Sequence, residues 1–147
     1  MAHAVVVLRA EGVPMTASEI SSYSGHATQV QPLSAETAVL DVDASLRRLG
    51  GDRNILIELA KMFAEDSPGL MGAIEQGIQQ ARYSDAGRAA HSLRGLAANF
   101  GAARLMHRLR ELEAALAQGN REGSLTLMVP TSEEKLRLQE ALNAYCQ

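Results

Sequence analysis

The stretch ARLMHRLRELEAALAQGN, residues 103–120, decides the fold. Leu105, Leu109, Leu112 and Leu116 fall at alternating steps of four and three, the spacing that lines one side of an α-helix. Gly119 and Asn120 then close it. Working back toward the N-terminus, residues 84–99 predict a second such helix, started by Ser84 or Asp85 and interrupted at Gly101. Before that, Asp52 opens a helix whose Ile55, Leu56, Leu59, Met62 and Phe63 share one stripe. Ser67 and Pro68 are expected to break or kink it, because proline suits a first helical turn and not an interior. Leu70, Met71, Ile74 and Ile78 carry the stripe on toward Tyr83. Further back, DVDASLRRLGG predicts a short helix capped by Asp43 and ended by Gly50 and Gly51. Toward the C-terminus, REGSLTLMVP (residues 121–130) reads as a looser connection, after which Thr131 and Glu134 form a capping box for a last helix with Leu136, Leu138, Leu142 and Tyr145.

No stretch alternates as a strand would, so the fold class is all-α. Counting the kinked pair as one element gives four substantial helices joined by short turns. The expectation is an antiparallel up-and-down four-helix bundle over residues 37–147, with a short extra N-terminal helix. Residues 1–36 lack periodicity and turn rich in Ser, Thr and Gly, so they are expected to form a flexible or loosely packed leader.

Composition narrows the function. The 147 residues are 46% hydrophobic but contain no Trp, two Phe and three Tyr, which demands an aliphatic core. A net charge of −3 offers nucleic acid no overall attraction. The one cysteine, Cys146, excludes an intrachain disulfide and a cysteine-based zinc site, which suits the cytoplasm. No run approaches the ~18 apolar residues of a membrane span. No GxGxxG or P-loop is present, so no kinase activity of its own is expected, and neither a bound cofactor nor a metal site.

The helix over residues 84–99 carries the functional signal. At about 100° per residue, Ala86, Ala89, Leu93, Leu96 and Phe100 gather opposite His91 and form the core face. Gly87, Arg88, Arg94, Gly95, Ala98 and Asn99 share the side of His91, which therefore faces solvent. Gly87 and Gly95 lie four residues before and after His91, where side chains would stack against it. Each costs about 1 kcal/mol relative to alanine in a helix interior. Bare backbone around an exposed histidine gives another protein's surface room to close on it. Gly87, Arg88, Gly95, Ala98 and Asn99 are thus candidate docking residues, and Arg94 can offer guanidinium donors to an anion held at His91. Residues 82–110 hold six arginines against one acid, so a concentrated positive patch and an acidic or phosphorylated partner are expected.

The segment AAHSLRGLAANFGAARL, residues 89–105, is similar to the motif of the histidine-containing phosphotransfer (HPt) family. The family's histidine, leucine, basic residue, glycine and Gly-Ala pair fall on His91, Leu93, Arg94, Gly95, Gly101 and Ala102. The likeness spans residues 38–119 and weakens beyond Gly119; the family more often has lysine where this chain has Arg94. The resemblance implies a phosphorelay intermediate. His91 would accept a phosphoryl group from a receiver-domain aspartyl phosphate, through the ring nitrogen farther from the backbone, and pass it to another receiver. Arg94 would stabilise its charge, and Glu113 or Arg110 on the next helix would orient the imidazole. The implied partners are response-regulator receiver domains, which supply Mg²⁺, and a hybrid sensor kinase, with the chain itself a monomer. The alternative is a non-catalytic four-helix adaptor that binds a receiver or kinase without carrying phosphate.

Overall fold

The computed structural model describes residues 38–147; the expectation for the leader lies outside these residues. Among the described residues there are five helices and no strand: α1 (Val42–Arg48), α2 (Arg53–Gln79), α3 (Tyr83–Ala98), α4 (Ala103–Ala117) and α5 (Arg121–Cys146). Each of the four long helices packs on its neighbour in sequence, and α2 also packs on α5, so the four close into a helical bundle. The turns over residues 80–82, 99–102 and 118–120 are short. At one end the Arg53 guanidinium lies 4.8 Å over the Tyr145 ring. At the other, Arg121 Nη1 donates to the carbonyl of Gln79 (3.4 Å).

The core is aliphatic, as the composition requires. Leu56, Ile74 and Ile78 of α2 meet Ala86, Leu93 and Ala97 of α3, Leu105, Leu109, Leu112 and Leu116 of α4, and Leu138 and Leu142 of α5. The chain's two phenylalanines, Phe63 and Phe100, meet edge to face with centroids 5.7 Å apart. Burying each large apolar side chain contributes about 1.5–3 kcal/mol, so the leucine steps of α4 suffice to fix its orientation.

The local signals hold at some helix ends and shift at others. Asp52 caps α2, its Oδ1 accepting from the amides of Asn54 and Ile55. The cap of α1 is Asp41 rather than Asp43: Asp41 Oδ1 accepts from Ala44 N (2.9 Å), and Asp43 sits inside the first turn. Asp41 is held there by its own amide, which donates to the carbonyl of Phe100 (2.9 Å). Gly101 permits this approach. Its φ is +56°, and an added Cβ would stand 2.9 Å from Asp41 Cβ. Helix α3 begins at Tyr83, one residue before the earliest expected start, and no side chain caps it.

Two expected interruptions are absent. Helix α2 runs unbroken through Ser67 and Pro68, and α5 runs unbroken from Arg121 through Pro130, so REGSLTLMVP is helix and no capping box starts at Thr131. A proline inside a helix strands the carbonyl four residues earlier. Those carbonyls belong to Ala64 and Thr126, both exposed residues, where a missing helical bond costs less than it would in the core. The true cap of α5 is Asn120, whose Oδ1 accepts from Gly123 N (2.9 Å). The hydroxyls of Ser124, Thr126 and Thr131 donate to the carbonyls of Asn120, Glu122 and Leu127 within the helix, so they do not compete with its formation. Glu134 is buried and accepts from Arg104 Nη2 of α4 and Arg137 Nη1, both at 2.7 Å.

Candidate functional site around His91

Helix α3 presents His91 because its opposite side is locked in the core by Ala86, Ala90, Leu93 and Ala97. The His91 side chain is 73% exposed near the middle of the helix. Leu96, expected on the core face, is only partly buried and instead lines a shallow hollow on the surface.

Beneath the exposed ring lies a pair of largely buried charges. Glu113 of α4 is 20% exposed and Arg94 of α3 is 27% exposed. Glu113 Oε1 lies 3.1 Å from His91 Nδ1, and Arg94 Nη2 lies 3.1 Å from the same nitrogen. Arg94 Nε lies 2.8 Å from Glu113 Oε2, an ion contact off the line of its N–H. The carboxylate can only accept, so its bond to the imidazole requires the proton on Nδ1. The lone pair then resides on Nε2, which has no partner among the described residues. A nucleophile with its second nitrogen fixed by a carboxylate is a recurrent arrangement for histidine.

Of the two candidates on α4 for contact with the imidazole, the structure brings Glu113 to it. Arg110 is exposed and makes no hydrogen bond or ion pair to His91. Three residues of α4 separate them, so they point about 60° apart around the helix. The buried Leu109 lies about 40° from Glu113 and about 100° from Arg110 around the helix, so Glu113 is the one turned toward the bundle.

The docking candidates flank the ring. Gly87 and Gly95 each have empty space where a Cβ would lie, so neither is required by packing. Gly87 and Arg88 line a hollow with Tyr83, His91, Ser92 and Glu113. Arg88 is exposed and pairs with Asp85. Gly95 is exposed, while Ala98 and Asn99 are half-buried at the end of α3. The sequence reading missed the other side of the ring. There, Gly69 and Leu70 of α2 line a second hollow with Ser92 and Leu96. An added Cβ at Gly69 would also meet nothing. Gly69 and Gly72, both just after Pro68, could have flagged this, had the helix been expected to continue.

The expected positive patch is largely offset on folding, four of its six arginines being paired. Arg88 pairs with Asp85, Arg94 with Glu113, Arg104 with Glu134 and Arg108 with Glu111. Three of these four acids lie outside the window of residues 82–110, where a local charge count cannot see them. What remains near His91 is a neutralised pair under an exposed ring.

The Hpt domain family model matches residues 58–147, a span that includes His91, Arg94 and Glu113 and continues through the whole of α5. The chain belongs to the Hpt family of multistep phosphorelay signalling. Comparison with curated proteins and with solved structures returns no match in either case. Membership implies a phosphotransfer role in a phosphorelay, a setting in which Hpt domains interact with receiver domains and kinases. The match also extends the likeness beyond Gly119, where the sequence motif alone had faded, since α5 lies wholly within the matched span. No helix among the described residues is long and apolar enough to cross a membrane.

Proposed function

We propose that this Hpt protein is a phosphorelay intermediate that takes a phosphoryl group from a receiver-domain aspartyl phosphate onto His91 and delivers it to the aspartate of another receiver. The observation that carries this reading is the His91 ring: exposed, bracketed by glycines open to an approaching surface, and bonded at Nδ1 to Glu113. The Nε2 lone pair attacks phosphorus in line with the departing oxygen, and the P–O bond breaks with its electron pair passing to the aspartate carboxylate. The resulting N–P bond retains the transfer potential that a serine ester at the adjacent Ser92 would lose. Mg²⁺ and the carboxylates that hold it belong to the receiver in this scheme. This chain supplies the nucleophile, the Glu113 carboxylate that holds its Nδ1 side and a surface on which the receiver closes; Arg94, expected to meet the phosphoryl charge, contacts Nδ1 instead.

The partners in this reading are response-regulator receivers and a hybrid sensor kinase, and the chain acts as a monomer in the cytoplasm. The closed ring of four helices with short turns supports an antiparallel up-and-down course.

The test is incubation of the full chain and a His91→Gln variant with a panel of phosphorylated receivers. Wild type should acquire an acid-labile, alkali-stable label, and the variant should fold normally and acquire none. A label surviving in the variant refutes the assignment of His91. A chain that binds receivers without ever being labelled is the adaptor instead.

A further inference from the structure

One nitrogen atom in this structure has two suitors. His91 Nδ1 lies 3.1 Å from Glu113 Oε1 and 3.1 Å from Arg94 Nη2. The carboxylate needs a proton on that nitrogen, whereas the guanidinium, which has only donors, needs a lone pair there. Both cannot be satisfied at once. Arg94 and Glu113 also hold each other, at 2.8 Å, and both are largely buried, so neither is free to swing into solvent as an ordinary surface charge would. Arg94 therefore sits on the Nδ1 side of the ring, not beside Nε2, where an incoming phosphoryl group would be bound.

We propose that Arg94 and Glu113 form a two-position switch on His91 Nδ1 that sets how long a phosphoryl group stays on Nε2. The inference rests on the relay reading above and concerns the step after His91 has been loaded.

The chemistry follows from the leaving group. Transfer from phosphohistidine breaks the Nε2–P bond and leaves the electron pair on Nε2. With a proton on Nδ1 the departing ring is neutral imidazole. Without one it is the imidazolate anion, a far poorer leaving group. In the first position, the protonated phosphoimidazolium donates Nδ1–H to Glu113. A carboxylate oxygen of the acceptor then bonds to phosphorus, the N–P pair returns to Nε2, and the proton stays on Nδ1. With water as acceptor the products are neutral imidazole and dihydrogen phosphate. In the second position the Nδ1 proton has passed to bulk water, Arg94 Nη2 donates to the bare Nδ1 lone pair, and the neutral phosphoimidazole is held in store. Glu113 favours the donating state and Arg94 the storing state, and the ion contact between them lets each be engaged only partly. Both are positioning residues, since each acts on phosphorus only through the imidazole.

The test uses the full chain, loaded chemically with phosphoramidate so that no receiver contact enters the measurement. The decay of phosphohistidine is followed by ³¹P NMR, and the state of the unphosphorylated ring by ¹⁵N NMR. Wild type should show the Nδ1–H tautomer. Glu113→Gln, which removes the negative charge and frees Arg94, should lengthen the phosphohistidine lifetime about tenfold and shift the ring away from Nδ1–H. Arg94→Met should shorten the lifetime by a comparable factor and leave Nδ1–H dominant. Opposite signs are the signature, since general loosening of the site would move both variants the same way. Equal lifetimes, or changes of one sign, overturn the switch. So does a wild-type ring carrying its proton on Nε2. Failure of phosphoramidate and of receivers alike to label His91 instead overturns the relay reading, and the ¹⁵N result on the unloaded protein still decides which residue holds Nδ1.

Discussion

Replacing the glycines that bracket His91 by alanine should stabilise the protein. In a helix interior glycine costs about 1 kcal/mol relative to alanine, chiefly through backbone entropy lost on folding. That gain is realised only where the methyl fits. A Cβ built at Gly87 or at Gly95 meets no atom within 4 Å, so the full increment is expected at both. The two positions are about 12 Å apart along α3 and share no packed neighbour, so their effects should add to about 2 kcal/mol. For a chain of this size that raises the melting temperature by roughly 6 °C. Gly77 provides the internal contrast. It too lies inside a helix, but its Cβ would stand 2.7 Å from Ala86 Cβ and 3.0 Å from the carbonyl of Arg82. Gly77→Ala should therefore lower stability by about 1–3 kcal/mol, because α2 and α3 must part to admit it. The assay is a thermal melt of the three single variants and the Gly87→Ala/Gly95→Ala pair, with transfer measured alongside. Gly95→Leu should match or exceed wild type in melting temperature and load normally from phosphoramidate, yet accept from a phosphorylated receiver at least about tenfold more slowly. A Gly95→Ala variant that melts below wild type would refute the claim that this glycine serves approach rather than packing. Equal receiver and phosphoramidate rates in Gly95→Leu would remove the docking role.

Other outcomes follow from single features of the fold. Gly101→Ala should cost about 2 kcal/mol or more, since it combines a left-handed backbone at φ +56° with a Cβ 2.9 Å from Asp41, and chemical denaturation will measure it. Pro68→Ala should raise stability by about 1–2 kcal/mol in the same assay, because it restores an amide donor to the interior of α2 without changing the core. Arg104→Met and Arg137→Met should each cost about 1 kcal/mol, since Glu134 keeps the other partner. The double variant strands a buried carboxylate and should lose about 3 kcal/mol or more, a non-additivity read from a double-mutant cycle.

Local periodicity and turn chemistry determined most of the helical layout. The leucine steps of α4, the Leu56, Leu59 and Phe63 part of the α2 stripe (its Ile55 and Met62 are exposed) and the Asp52 cap are short-range properties, legible along the chain. The exposure of His91 was legible for the same reason, since a single helix with Leu93 and Ala97 on one side must carry His91 on the other. Local reasoning failed where a residue's role depends on what lies across the bundle. Pro68 and Pro130 looked like breaks because their sequence neighbours do not reveal that the residues left without a helical donor, Ala64 and Thr126, are exposed. In α5 the core-facing positions include Ser124, Thr131 and Glu134, so the apolar period that announces a helix was missing from its first half. The arginine patch was a count along the chain, and folding brought acids from α4 and α5 to cancel much of it. The choice between Glu113 and Arg110 is the clearest case. Both are polar residues on the same helix, and only the rotation of α4 against α3, set by the burial of Leu109 and Leu112, turns the carboxylate rather than the guanidinium toward the histidine.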